Sequence, residues 1–316
     1  MNYGPLIFLA AFLGLSASWF GFVLTPQVQI GREQQATNTV NTAEMYPQAL
    51  PGLANQGLEV YRENGCVYCH SQQVRQNGTA VNVLLSDAGT NATAVVEALL
   101  KANVGVTNAD EVNVSGAPKI LLRDTTVERA KAAVTALNGA GAKASVELQP
   151  LGPDIARGWG TRRTVAADYL YEHTVFPGSQ RVGPDLANVA LRLPDGNWQL
   201  RHLYSPAAEV SGSPMPAYKF LFEERKLEPG QRASGDAILL NASGEFFDPA
   251  KNNGPAVSEI IPKPEAKALV AYLLSRRAET PLFVAPMTPP PAANNSSATN
   301  TPAATAATGS TNAPAK

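Results

Sequence analysis

Cysteine is nearly absent. The 316 residues hold two, Cys66 and Cys69, and only three histidines, His70, His173 and His202. A structural zinc site needs about four ligands, so one built on this cysteine pair would have to recruit His173 and His202. Charge is sparse as well: charged residues make up 16% of the chain and the formal net charge is −1. That balance gives no basic footprint and excludes nucleic acid as a partner. Met1 to Ile30 carries no charged side chain at all, so the basic segment with which a secretory signal peptide opens is missing.

What is present is compact. Cys66-Val67-Tyr68-Cys69-His70 has two cysteines two residues apart and a histidine directly after the second, the pattern of c-type haem attachment. Each thiol adds to a haem vinyl group, and the tether brings the next residue's imidazole under the iron. The alternatives are a zinc half-site or a redox disulfide; the latter usually sits on a thioredoxin-like βαβ pattern, which is absent locally. The favoured reading is one covalently bound haem c, which leaves no cysteine for a disulfide. His70 is then one axial ligand.

The second ligand must come from elsewhere, and methionine or histidine is usual. Met1 is the initiator, Met45 precedes the motif and Met287 lies in a proline-rich tail. Met215 sits in Ser213-Pro214-Met215-Pro216-Ala217-Tyr218, where two prolines fix the backbone and hold the thioether. Met215 is the favoured ligand, His173 and His202 the rivals, and a gap-filling core methionine the plain alternative. Iron closed on both faces carries electrons and performs no bond chemistry, so no catalytic residue is assigned.

Tyr3 to Leu24 is a nearly continuous apolar run, long enough for a bilayer core of about 30 Å. Trp19, Phe20 and Phe22 stand toward its outer end, as interfacial aromatics do. It is longer than a signal-peptide core and lacks a strong small-residue cleavage signal, so an uncleaved single-pass anchor is preferred. Because Arg32 is the first basic residue, the positive-inside rule is uninformative. Haem attachment on the oxidising side places the soluble body on the periplasmic side of the inner membrane.

Beyond the anchor, Gln27 to Ala49 reads as a polar stalk and Gln56 to Glu63 as a short helix leading into the haem motif, with Leu58 and Tyr61 inward. Val81 to Leu85 alternates like a strand. Ala92 to Ala102 and Thr126 to Asn138 read as amphipathic helices, the latter capped by Thr125 or Thr126. Gly139-Ala140-Gly141 stops it, and Lys143 to Leu148 is a final strand. Pro264 to Arg277 sets Ala268, Leu269, Tyr272 and Leu273 at helical spacing. Thr288 to Lys316 cannot bury a core and is expected to be disordered.

The segment Gly65-Cys66-Val67-Tyr68-Cys69-His70-Ser71-Gln72-Gln73-Val74-Arg75 resembles the haem segment of the monohaem, membrane-anchored subunit II of cbb3-type cytochrome c oxidases. The likeness resumes at Trp159-Gly160-Thr161-Arg162-Arg163-Thr164 and Asp168-Tyr169-Leu170-Tyr171. It runs on through Gly178 to Val189, His202-Leu203-Tyr204-Ser205-Pro206 and Met215-Pro216-Ala217-Tyr218. This resemblance implies a class I cytochrome c domain with haem on Cys66 and Cys69 and axial ligands His70 and Met215. It also implies that Pro184, in the pair Gly183-Pro184, offers its carbonyl to the outer nitrogen of His70. Arg162, Arg163 and Arg181 are candidates to pair with the haem propionates, the alternative being solvent-facing arginines or subunit contacts. Trp159 and Tyr218 are candidate haem walls or ordinary core.

The stretch between Arg75 and Gly152 departs from that family. Its order of elements resembles the C-terminal domain of the bacterial ribosomal stalk protein, most closely at Ser115 to Lys119 and Ala140 to Leu148. Fold is not function, so the segment is read either as a docking surface or as a tolerated insertion.

The expected architecture is mainly α: a transmembrane helix plus a class I cytochrome c domain, interrupted by a small inserted α/β domain (an α+β sandwich), with a disordered tail. The divisions are 1–27 anchor and start of stalk, 28–76 first cytochrome part, 77–150 insertion, 151–283 second cytochrome part and 284–316 tail. The expected role is an electron-transfer subunit of a cbb3-type terminal oxidase. Its partners would be a catalytic haem-copper subunit and a further c-type cytochrome subunit or soluble cytochrome donor. Alternatives are the monohaem subunit of a nitric oxide reductase, a free-standing tethered shuttle cytochrome, or a non-redox adaptor built on the α/β unit.

Overall fold

The computed structural model describes residues 3–32, 45–103, 118–172, 174–228, 230–248, 254–278 and 280–285. The expectations for Met1, His173, Met287, the 288–316 tail, most of the stalk and the Ser115–Ala117 piece lie outside the described residues.

The chain begins with helix α1 (Gly4–Trp19), whose residues are apolar on every side and none buried. A π-helical turn, Phe20–Leu24, continues it into α2 (Thr25–Arg32). Gly4–Gln29, 26 residues, is long and apolar enough to cross a membrane. At 1.5 Å per residue that is about 39 Å of helix, longer than a hydrocarbon core of about 30 Å. The helix also runs past Leu24, where the sequence places the end of the apolar run.

Helix α3 (Gly52–Glu63) precedes the haem motif, and a left-handed Gly65 with φ of 66° turns the chain into a short 3-10 segment, Cys66–Tyr68. Next comes an α/β unit: β1 (Gly78–Asp87), α4 (Ala92–Lys101), β2 (Lys119–Thr125), α5 (Val127–Gly139) and β3 (Lys143–Leu151). The sheet order is β2-β1-β3, with both pairings antiparallel. Asn91 caps α4 by accepting from the Ala94 N–H, and Thr126 caps α5 by accepting from Arg129. Val83, Leu85, Val95, Leu99, Ala130, Ala133 and Leu137 make a core of its own, because the alternate residues of β1 meet the apolar faces of both helices.

The remainder begins with α6 (Pro153–Ala156) and goes on to α7 (Val189–Arg192), α8 (Gly196–Tyr204) and α9 (Pro206–Glu209). Strands β4 (Phe222–Lys226), β5 (Ile238–Asn241) and β6 (Ala256–Pro262) follow, and α10 (Pro264–Ser275) closes the described body. These strands form a second antiparallel sheet, ordered β4-β6-β5. The expectation of a mainly α chain is therefore corrected to mixed helix and strand. The second sheet goes unforeseen because β4 reads Phe-Glu-Glu-Arg-Lys, with a single buried residue, Phe222. In β6 the core residue Ile260 is preceded by Glu259, a fully buried carboxylate on the opposite face of the strand.

Helices α3 and α10 pack directly on one another. Gly57 makes this possible: a Cβ there would run into the Ala268 carbonyl and the Tyr272 side chain. The Tyr61 and Tyr272 rings meet beside this crossing at 5.4 Å. One core joins α3, α7, α8, α10 and the second sheet, and Cys66, Val67, Leu186, Met215 and Tyr218 pack against it.

Candidate haem-binding site

The residues after the haem motif are laced to loops far along the chain. Gln72 N donates to Pro177 O at 2.9 Å, Leu186 N to Ser71 O at 2.8 Å and Gly183 N to Cys69 O at 2.9 Å. Asp185, fully buried, accepts from Ser71 Oγ (2.6 Å), Gln73 N (2.7 Å) and Ala187 N (2.9 Å). Gln72 extends the lacing to α10 by donating to the Tyr272 hydroxyl at 2.9 Å, and the Tyr169 hydroxyl donates to the Gln72 carbonyl.

These contacts fix His70. Its Nδ1 lies 2.8 Å from the Pro184 carbonyl, which leaves Nε2 as the free ring nitrogen. Gly183 lies flat against the ring, since a Cβ there would stand 2.6 Å from Nδ1. Gly178, at φ of 77°, passes equally close over the His70 carbonyl. Burial holds the imidazole pKa below its ordinary value; the Pro184 bond and the Asp185 charge act in the opposite direction.

Both cysteines are free thiols, Cys66 half-buried and Cys69 exposed. Burial pushes the Cys66 thiol up to about 11 despite a hydrogen bond with Tyr218. The Tyr218 hydroxyl is itself pushed up to about 12, chiefly by burial and then by the neighbouring sulfurs. Met215 is half-buried on the same core as Cys66 and Tyr218, whereas Met45 is 49% exposed. Two free thiols, an imidazole held from behind by a carbonyl and a thioether on the same core are a donor set that fits haem c.

The arginines divide. Arg162, 1% exposed, uses all five of its N–H groups inside the protein. They reach Thr280 O (2.8 Å), Arg163 O (2.9 Å), the Tyr46 hydroxyl (3.2 Å) and both Asp168 oxygens (2.8 and 3.1 Å). Arg162 is thus held in a buried ion pair with Asp168. Arg163 is exposed and donates to Val284 O at 2.6 Å. Arg181 grips Asp154 at 2.6 and 2.7 Å and also reaches the Gln73 carbonyl. The Arg157 and Arg181 guanidiniums both lie over the Trp159 ring, 5.0 and 5.3 Å from its centroid.

Sequence reasoning missed Asp154, Asp185 and Arg192. Asp185 follows the Gly-Pro pair directly and is the one whose position carries a signal: a carboxylate there can collect the N–H groups of the segment behind the haem histidine. His202, the rival ligand, stacks on Trp198 at 4.7 Å with 10° between the rings.

Residues 125–238 match the family model described as cytochrome C oxidase, mono-heme subunit/FixO. This supports a monohaem cytochrome subunit of a cbb3-type oxidase, and with it a haem cofactor, partner subunits and association with a membrane. The matched stretch includes Trp159, Gly183, Pro184 and Met215 and lies C-terminal to Cys66–His70. Among curated proteins compared with the chain, none matches it.

Proposed function

We propose that this chain is the membrane-anchored, monohaem electron-transfer subunit of a cbb3-type terminal oxidase, its body on the periplasmic side of the inner membrane. It relays electrons from a further c-type cytochrome, subunit or soluble, to a catalytic haem-copper subunit. The haem, once bound, supplies a one-electron couple. Cys66 and Cys69 would hold it covalently, His70 Nε2 and the Met215 thioether would face the iron, and Pro184 would orient the imidazole and raise its basicity. The observation that carries this reading is the His70–Pro184 pair at 2.8 Å, set between a Cys-x-x-Cys-His motif and a matched monohaem oxidase segment.

Arg181 and Arg163 serve here as positive charges near the site, with Trp159 and Tyr218 as its aromatic surroundings. We read residues 77–150 as an inserted unit, since its core is separate from the one that holds Cys66 and Met215. The helix Gly4–Gln29 is the anchor.

Purification in mild detergent tests the reading. The wild-type chain should carry covalent haem on a denaturing gel and bring down large haem-copper partners. Replacing both cysteines, Cys66→Ala and Cys69→Ala, should remove the haem stain. A haem-bearing chain that purifies alone would point instead to a tethered shuttle cytochrome.

A further inference from the structure

We propose that Asp185 is the residue that positions the haem histidine and sets the reduction potential of the site. Its carboxylate is fully buried and lies in the loop directly after Pro184. Oδ2 accepts from Ser71 Oγ at 2.6 Å and from Gln73 N at 2.7 Å, and Oδ1 accepts from Ala187 N at 2.9 Å. Backbone bonds flank it, Gly183 N to Cys69 O and Leu186 N to Ser71 O. The carboxylate thus closes residues 183–187 onto residues 69–73. The Pro184 carbonyl is thereby held 2.8 Å from Nδ1 of His70.

Hydrogen bonding alone does not call for a carboxylate. A serine or asparagine oxygen also accepts, and burying a charge is costly unless it is paired. Asp185 is paired only loosely. The Arg181 guanidinium stands 3.9 Å from Oδ2 and grips Asp154 at 2.6 and 2.7 Å. Arg192 donates to the Asp185 backbone carbonyl and not to its carboxylate. The negative charge is left to act on its surroundings, and it is one of the influences that raise the His70 pKa. A more basic imidazole with negative charge behind it favours ferric iron.

This role rests on haem attachment at Cys66 and Cys69. Its test is the midpoint potential of the haem-bearing, full-length protein. Hydrogen exchange of the His70 ring N–H, followed by NMR in the reduced state, is a second reading. Asp185→Asn removes the charge and sets an amide N–H against a backbone donor. It should shift the electron-exchange equilibrium about tenfold toward the reduced state, a rise of about 59 mV for a one-electron couple. The low-spin spectrum should be kept, and the ring proton should exchange faster.

Ser71→Ala separates charge from scaffolding. It removes one donor and leaves the carboxylate less compensated, so the potential should fall, by a smaller amount. The ring proton should again exchange faster. Glu97→Gln neutralises an exposed carboxylate of α4, paired with Lys101 in the separate α/β unit, and should leave both readings unchanged. If Asp185→Asn fails to retain haem, Ser71→Ala decides by the same measurements.

A wild-type potential in Asp185→Asn or in Ser71→Ala would overturn the inference. So would a shift of both variants in the same direction, which would leave Asp185 a scaffold only. Unchanged proton exchange in both would remove the positioning, and an equal rise in Glu97→Gln would make the effect one of net charge. A colourless wild-type protein would sink the haem reading itself, an outcome separate from these.

Discussion

Replacing the Met215 thioether should leave the two covalent sulfur links untouched and change only the iron's second face. In Met215→Ala the expected result is haem retained on a denaturing gel and loss of the near-infrared sulfur–iron band. The potential should also fall, since methionine ligation raises it. An unchanged band would move the ligand elsewhere. At this scale much of the candidate site is legible in the linear order. Cys66, Cys69 and His70 are adjacent, and Met215 is marked by its flanking prolines. The roles of charged residues are hidden, because an arginine looks alike in sequence whether its partner is a cofactor or a carboxylate. Arg162 and Arg192 make the contrast: the first is saturated by Asp168 and backbone carbonyls, the second keeps a buried Nε unpaired.

Among the elements, α3 and α10 hold the haem segment from two ends of the chain, and their approach depends on Gly57. Gly57→Ala should destabilise the haem-bearing protein by about 1–3 kcal/mol, the usual cost of overpacking a tight contact. Denaturant unfolding would check this, and an unchanged midpoint would mean that the helices separate without cost. Both helices are readable from periodicity, as are α4, α5 and β1, because each pairs one apolar face with one polar face. The second sheet is not. Its β6 strand buries Glu259, held by the Ser234 N–H at 2.7 Å and by Arg225, on the face opposite Ile260, and burial on both faces of so short a strand leaves no simple alternation to reveal it.

Across the whole molecule, buried carboxylates tie distant segments together, and acid should release them. Burial alone would raise the Asp154 pKa, but Arg181 and the Arg75 N–H hold it below the usual carboxylate range. Glu259 is held low chiefly by the Ser234 N–H and also by Arg225. Their folded values lie below the ~3.9 and ~4.3 of unfolded Asp and Glu, so the folded state binds fewer protons across that gap. The stability they contribute is full above about pH 5 and is lost as pH falls through the folded values. Denaturant midpoints from pH 7 down to 3 should therefore decline, and Asp154→Asn should flatten the decline. An equally steep fall in Asp154→Asn would remove this carboxylate from the account.

The amino-acid order by itself determined what adjacency can carry: a thiol–thiol–imidazole cluster for haem, an uncharged N-terminal run and the amphipathic periods of the longer helices. These are local properties, set by covalent spacing and by the helical and strand repeats. Tertiary structure alone decided which arginine is already saturated and where a charged strand enters a sheet. Each of these depends on contacts between distant segments or on a balance between burial and a partner, and neither leaves a mark in the linear order.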